Sequence, residues 1–326
     1  MSNQPSTTLV DIAIPYFKSF DYLREAVWSV LQQTMPDFSL LIIDDSPRDS
    51  RAKNFIESLG DPRIKYLTYD SNRGVNAAFE LAHKSFLSPW GLILGQDDRL
   101  LPNYLEKMLD AASKENSVSI IQSDTKVIGS HGERIYTLVD LIKAFLFKIN
   151  FILARTGKVP LSSDIAILKG NRAAAAISLG NFLYFPLVMW NRDKTKNFDF
   201  RQDLPITSDI DIFFRIFCTD GKLMLLNLPL AEYRRHVESL SGDPEKKLSR
   251  LTEESNTYFN CSNLLKWHKS PIIKIITLVH FSTRLYSFLE MCNAIFQKKI
   301  SLARKFLFIC LAFSKIGESD SVKRRV

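Results

Sequence analysis

The sequence predicts an α/β fold: a doubly wound, mostly parallel sheet followed by a helical C-terminal extension. Three observations predict it. Short β-rich apolar runs alternate with amphipathic helical stripes through the first 125 residues. Carboxylates gather where those runs end. Beyond Pro271 the apolar segments take helical spacing and carry basic side chains. Strands alternating with helices give parallel sheets covered on both faces, and 326 residues, 46% of them hydrophobic, are ample for a large core.

The elements follow in order. "LVDIAI" (9–14) is a strand, and "DYLREAVWSVLQQ" (21–33) is a helix with Leu23, Ala26, Val27, Val30 and Leu31 on one stripe. "SLLIID" (39–44) is the second strand, with a polar helix near 49–59, and "RIKYLTY" (63–69) is the third. Val75 to Phe86 form a helix, "GLIL" (91–94) a strand, and Pro102 opens a helix to about Lys114. "VSIIQSD" (118–124) is a fifth strand. From Ile135 to Ala154 the chain is apolar and helical, with Lys143 and Lys148 arguing against a membrane span. A mixed region follows. Helix 208–218 then leads into a strand, and helices near 272–296 and 300–316 close the chain, each too charged to be a clean span. Trp28 and Trp90 read as core; Trp190 suits either a core strand or the rim of a site.

Charge is uneven. From Leu264 to Val326 twelve Lys and Arg face three acids, giving that segment +9 and leaving −1 for the remainder. Apolar faces edged with cations suit an anionic membrane surface; helices packed on the body or in a homodimer interface are the alternative. Nucleic acid is not expected, because the basic residues alternate with aliphatic ones. The start "MSNQPSTT" lacks a secretory signal's basic and apolar regions, and the cysteines at 218, 261, 292 and 310 form no CxxC pair. A cytoplasmic protein, peripheral at the inner face of the membrane, is the expectation.

In a doubly wound sheet ligands bind beyond the carboxyl ends of the strands. Asp44, Asp45, Asp97 and Asp98 fall there, and neither GxGxxG nor GxxxxGK[ST] occurs. Acid clusters at one mouth repel each other unless a cation sits between them. Mn²⁺ or Mg²⁺, bound by one or two carboxylates and by phosphate oxygens, meets that need, so a nucleoside-diphosphate substrate is favoured. Turn chemistry alone would also place Asp at strand ends. A phosphoryl-receiver domain fits poorly, because the acid pair follows the second strand and not the first.

Six ordered motifs sharpen this reading. "VDIAIPYFKSFDYLREAVWSVLQQT", "DFSLLIIDDSPRD", "DPRIKYL" with "NRGVNAAFELA", "LILGQDD", "TSDIDIFFR" and "YRRHVESLS" resemble, in order, the motifs of family 2 glycosyltransferases of the GT-A fold. The likeness covers about residues 9–125 well and 181–241 more loosely. It implies that Pro15 and Phe17 border the nucleotide base and that Asp45 bonds the uracil or ribose. Asp97 would ligate the metal, with Asp98 orienting ribose, phosphate or water. Asp209 would take the acceptor's proton, and Arg234 and His236 would sit over the diphosphate, His236 as a further metal ligand. Residues 1–125 would form the nucleotide-sugar half, 126–262 the acceptor half with the base, and 263–326 a basic amphipathic helical tail.

The implied reaction is inverting transfer from a nucleotide sugar, UDP-linked by expectation, to a saccharide or lipid-linked saccharide acceptor in surface polysaccharide synthesis. Five positions depart from the family pattern. Lys18 replaces Asn, Phe79-Glu80 replaces Arg-Asn, Gly95 replaces the first acid of the DXD motif, and Ser208 replaces Glu. These departures leave a decayed, glycosyltransferase-like binding protein or a membrane-surface adaptor as the competing reading.

Overall fold

The first strand, β1 (Val10–Tyr16), shows how the sequence alternation becomes a two-sided core. The computed structural model describes residues 8–46, 49–156, 162–235, 244–265, 271–312 and 316. Val10, Ile12, Ile14 and Tyr16 enter one apolar core and Ala13 a second, because successive strand side chains point to opposite faces. After α1 (Phe20–Leu31), β2 (Phe38–Asp44) repeats the split, with Leu40 and Ile42 in the first core and Ile43 in the second. Each fully buried Ile or Leu of this kind stabilises the fold by roughly 1.5–3 kcal/mol. Helix α2 (Ser50–Leu59) starts where the Asp49 carboxylate accepts the Arg51 N–H and ends at Gly60 in the left-handed region. Strand β3 (Ile64–Thr68), helix α3 (Val75–Lys84) and strand β4 (Trp90–Ile93) complete a parallel half, in which β1 lies between β2 and β4 and β3 extends the edge.

The second half is mixed. It comprises β5 (Arg99–Leu100), α4 (Tyr104–Ser113), β6 (Ile120–Ile128), α5 (Leu138–Arg155), β7 (Ile165–Lys169), α6 (Gly170–Leu179), β8 (Val188–Asn191), α7 (Arg192–Thr195), α8 (Ser208–Cys218) and β9 (Lys222–Arg234). The sheet runs β3-β2-β1-β4-β8-β6-β9, with β7 and β5 pairing in turn along the far side of β9. Strand β8 lies antiparallel between β4 and β6 and brings Trp190 into the second core, fully buried and stacked on Phe213. Trp190 is therefore core, whereas Trp28 is 44% exposed and lies outside it.

Four further helices follow: α9 (Pro244–Leu264), α10 (Pro271–Val279), α11 (Phe281–Phe296) and α12 (Ile300–Leu311). Leu248 and Leu251 of α9 pack with Ala294, Ala303, Phe306 and Ile309 in a third, smaller core. The Tyr258 hydroxyl of α9 also donates to Ile177 O in α6 at 2.8 Å, so α9 joins the tail to the body. The helical extension thus starts at Pro244, earlier than the boundary expected near 263. Its first helix is so rich in Glu, Lys and Ser that it shows little apolar stripe. The run Pro271–Phe296 is long and apolar enough to cross a membrane by length and composition, although its charges argued otherwise. His280, at φ 31°, breaks that run, and its ring stacks on Tyr258 at 5.6 Å.

Candidate active site

Three loops meet at the carboxyl ends of β1, β2 and β4. Phe17 N–H donates to Gln96 Oε1 at 2.7 Å, and Gln96 Nε2 donates back to Phe17 O at 3.3 Å. Gln96 thereby ties the β1 loop to the β4 loop. Lys18 sits at φ 66° and its N–H donates to Ser46 Oγ at 2.9 Å, fastening the β1 loop to β2 as well. Pro15 is half-buried inside β1, and Phe17 presents a ring 42% exposed at the mouth. An Asn occupies the Lys18 position in the family pattern; here a lysine adopts the left-handed turn, and its ammonium lies 4.6 Å from the Phe17 ring centroid.

Asp45 also has a structural part. It is buried, and its carboxylate accepts the backbone N–H groups of Arg73 at 2.7 Å and Gly74 at 2.9 Å. It therefore fixes the loop that leads into α3 and forms part of the wall of the mouth. Beneath it, Asp44 accepts from Ser46 N–H at 2.6 Å and from the Tyr66 hydroxyl, and burial pushes its carboxyl above the usual range.

Gly95 explains the missing acid. A Cβ at this position would lie 2.5 Å from Asp98 Oδ2 and 3.1 Å from Asp97 Oδ1. The absent side chain makes room for the Asp98 carboxylate, which is 0% exposed. Asp98 accepts the Arg234 N–H at 2.8 Å, and its other oxygen has no hydrogen-bond partner among the described residues. Burial first, and Asp97 second, hold its carboxyl well above the ordinary range, against the pull of Arg234 and Arg235. Asp98 is thus sealed beneath the mouth and does not orient a ribose at the surface. Asp97, half-buried, is the acid at the rim.

Arg234 is also turned inward. Its guanidinium donates to Asp97 O at 2.8 Å, to Gly129 O at 3.1 Å and to Ser130 O at 2.9 Å, and it pairs with Glu25. A buried guanidinium needs acceptors for its five N–H groups, and these four contacts from the protein meet most of that need. The expected place over a diphosphate is therefore corrected: Arg234 braces the Asp97 loop from below. Strand alternation sends its neighbour Arg235 to the opposite face, where it pairs with Asp140 at 2.7 Å. His236 lies outside the described residues.

The base candidate sits at the start of α8. Asp209 belongs to the first helical turn and is not the cap, which is Thr207. Its residue surface is partly open, but protein surrounds its carboxyl. Desolvation pushes that carboxyl up to about 6, against the Ile210 N–H, Lys143 and Arg250, while Glu254 adds to the rise. Burial thus outweighs the helix dipole and the nearby cations. Asp211, the rival acid, is paired with Arg215 at 2.7 Å one turn on.

Two residues that the sequence did not flag hold this turn. Glu253 of α9 accepts from the N–H groups of Ile206 at 2.8 Å and Thr207 at 2.9 Å. Asn76 of α3 accepts from Ser208 Oγ at 3.0 Å and donates to Leu204 O at 2.8 Å. Asn76 stands two residues after Gly74, whose N–H binds Asp45, so the start of α3 links both halves of the site. Ser208, where the family has Glu, is thereby a structural hydroxyl. Phe79 packs on Phe185 at 4.7 Å and Glu80 accepts the Phe200 N–H at 2.6 Å; both family departures are absorbed into the wall of the second core. A glutamate forty-odd residues downstream and an asparagine over a hundred upstream carry no local signal of this service.

Among the described residues no three His, Cys, Asp or Glu side chains group as metal ligands. The donor set instead suits an ion held mainly by its substrate: Asp97 offers a carboxylate at the rim, above the unpartnered Asp98 oxygen.

Comparison with known proteins follows from this geometry. The family model described as glycosyl transferase family 2 matches residues 11–176. An uncharacterized glycosyltransferase of Rickettsia bellii is 28% identical over 321 residues, covering 98% of this chain and 42% of the relative. An Escherichia coli protein named UDP-Glc:alpha-D-GlcNAc-diphosphoundecaprenol beta-1,3-glucosyltransferase is 28% identical over 123 residues, 38% of this chain and 48% of that protein. The chain spans less than half the length of these curated relatives. A Pyrobaculum calidifontis mannosyltransferase, solved with GDP-Man and Mn²⁺, has the same fold with a TM-score of 0.60 at 10% identity, covering 92% of this chain and 85% of its own.

Proposed function

The chain belongs to glycosyl transferase family 2, and on that premise we propose that it moves a sugar, with inversion, from a uridine-diphosphate donor to a lipid-linked saccharide at the cytoplasmic face of a membrane. The observation that carries this reading is Asp209: a carboxyl lifted to about 6 at a helix start that α3 ties to the acidic mouth. A base titrating there is ionised at neutral pH and still basic enough to take a proton, which typically contributes on the order of 10²–10⁴-fold.

In this reading Phe17 and the half-buried Pro15 border the base of the nucleotide, and Gln96 fixes the loop that presents them. Asp45 sets the adjoining wall through Arg73 and Gly74. The acceptor hydroxyl gives its proton to Asp209 as its oxygen bonds to the sugar carbon, and the nucleoside diphosphate leaves on the opposite side. Mn²⁺ or Mg²⁺, when bound, would be held by Asp97, His236 and the donor phosphates, and would neutralise charge on the leaving group. Arg234 keeps Asp97 in place by holding its carbonyl.

The uridine donor and the lipid carrier are supported by the name of the Escherichia coli relative, and the metal by the Pyrobaculum structure. Calorimetric titration with UDP and GDP, with and without Mn²⁺, tests the donor half. UDP binding that needs Mn²⁺ and weakens at least tenfold in Asp97→Ala is expected. Binding indifferent to both would refute the metal assignment, and no binding of either nucleotide would favour the decayed reading.

A further inference from the structure

Helix α5 is apolar on its outer face as well as on the face that packs in the second core. The face turned to the body carries Asp140, Phe147, Asn150 and Phe151, all buried, and the Lys143 ammonium, which donates to Leu183 O at 3.0 Å. The face turned to solvent carries Leu138, Leu141, Ile142, Phe145, Ile152 and Leu153, all exposed, with Phe145 at 66%. Leu138, Leu141, Ile142 and Phe145 follow one another at three and four residues, and the half-buried Ile149 continues the row to Ile152 and Leu153. A helix at a protein surface normally turns that stripe to the core, and scattered exposed apolar residues do not fall into such a row.

The apolar surface continues beyond α5. Gly180, at the end of α6, lies between α5 and α11: a Cβ there would meet Leu146 at 2.6 Å and Ser282 at 3.4 Å. From that junction the exposed Phe281, Leu285, Phe288 and Leu289 run along α11 to Phe296, which is 89% exposed. Exposed charge along both segments is one-sided, since the one acid of α11, Glu290, is largely buried in a pair with Lys247 at 2.8 Å. No Asp or Glu occurs between Leu141 and Ser163, a stretch that holds Lys143, Lys148, Arg155 and Lys158. None occurs between Met291 and Ala312, where Lys298, Lys299, Arg304 and Lys305 are exposed.

We propose that α5 is a membrane-docking helix, its outward stripe entering an anionic lipid surface while Lys298 and Lys299 of the α11–α12 turn and Arg304 and Lys305 of α12 meet the headgroups. Apolar side chains edged only by Lys and Arg complement such a surface. A second copy of the chain would bring like charges together, so self-association fits this face poorly. The inference rests on the lipid-linked acceptor proposed above and adds a place to it. Lys143, on the inner side of the same helix, acts electrostatically on the Asp209 carboxyl. One helix thus touches the bilayer and borders the base, so a saccharide carried on a lipid reaches Asp209 from the membrane side.

The test is co-sedimentation of the full chain with vesicles of phosphatidylcholine containing about 30% phosphatidylglycerol. Wild type should sediment with these vesicles. The triple variant Ile142→Glu, Phe145→Glu, Ile152→Glu should lose roughly tenfold or more in partitioning. The milder Phe145→Ser should lose several-fold, roughly what one buried aromatic ring contributes. Melting temperature and UDP affinity should stay unchanged in both, since none of these side chains enters the core or the mouth. Partitioning that survives the substitutions, wild type that stays in the supernatant, or a dimer that the triple variant dissociates would each overturn the docking assignment. UDP binding is read separately, so loss of the donor reading with vesicle binding intact is distinguishable from the reverse.

Discussion

Replacing Asp209 by Asn should lower turnover roughly 10²–10⁴-fold and stabilise the fold, both for the same reason. The Asp209 carboxyl stands near 6, against an ordinary 3.8, and desolvation is the main cause. Its folded value is raised, so the native state binds this proton more tightly than the unfolded chain does. Stability therefore falls as pH climbs through the window from about 4 to about 6, and above it the ionised carboxylate costs about 3 kcal/mol as an upper estimate. Asp209→Asn removes the charge but keeps an oxygen for the Ile210 N–H. The variant should melt several degrees higher than wild type at pH 8 and lose that advantage near pH 4. In wild type, nucleotide release should fall on the acid side with a midpoint near 6, and at pH 5 about a tenth of the plateau rate should remain. Thermal melts from pH 4 to 8 and a pH–rate profile measure both. An acid limb centred at 4, or an Asn variant no more stable at pH 8 than at pH 4 relative to wild type, would refute the claim that burial sets this carboxyl.

Three other perturbations probe the support beneath the site. Gly95→Asp restores the family acid on paper, but its Cβ would meet Asp98 Oδ2 at 2.5 Å; we expect a loss of about 1–3 kcal/mol in chemical denaturation and lower turnover, whereas a variant that is stable and more active would show the space to be adaptable. Arg234→Ala leaves the Asp97, Gly129 and Ser130 carbonyls without this donor, while Glu25 keeps Arg99 at 3.2 Å; a loss of about 1–3 kcal/mol is expected by urea unfolding, and a change under 1 kcal/mol would contradict the buried placement. Glu253→Ala frees the Ile206 and Thr207 N–H groups; turnover should fall while UDP affinity, measured by calorimetry, holds within twofold or so. Equal loss of both would mean that α9 supports the donor mouth as well.

The parallel half was legible in the sequence because its central strands β1, β2 and β4 are largely buried on both faces and helix α1 shows a plain stripe. Val10, Ile12 and Ala13 are apolar whichever way they point, and that pattern needs no partner to be read. The acids at the strand ends were visible too, but not their orientation. Asp97 and Asp98 are adjacent in sequence, and the Asp98 N–H bond to Gly95 O at 3.1 Å belongs to the turn that sends one to the rim and the other inward. Arg234 and Arg235 divide in the same way by strand alternation, once the face of β9 is known. The region from 155 to 207 was illegible for another reason. Strand β8 inserts antiparallel between parallel neighbours, and α6, "GNRAAAAISL", packs small residues on most sides and shows no polar stripe. The supports from Asn76 and Glu253 reach across the fold, and long-range hydrogen bonds leave no spacing to recognise. Trp28 misled because a large apolar residue on a striped helix reads as core, although it sits beside the stripe and not on it.

The most direct test of the transferase reading is nucleotide release from a panel of UDP- and GDP-sugars with Mn²⁺, comparing wild type with Asp209→Asn and Asp97→Ala. Wild type should release nucleotide from at least one donor, Asp209→Asn should fall roughly 10²–10⁴-fold, and Asp97→Ala should show a marked loss. Turnover that persists through both substitutions, or wild type that releases nucleotide from none of the donors, would contradict it.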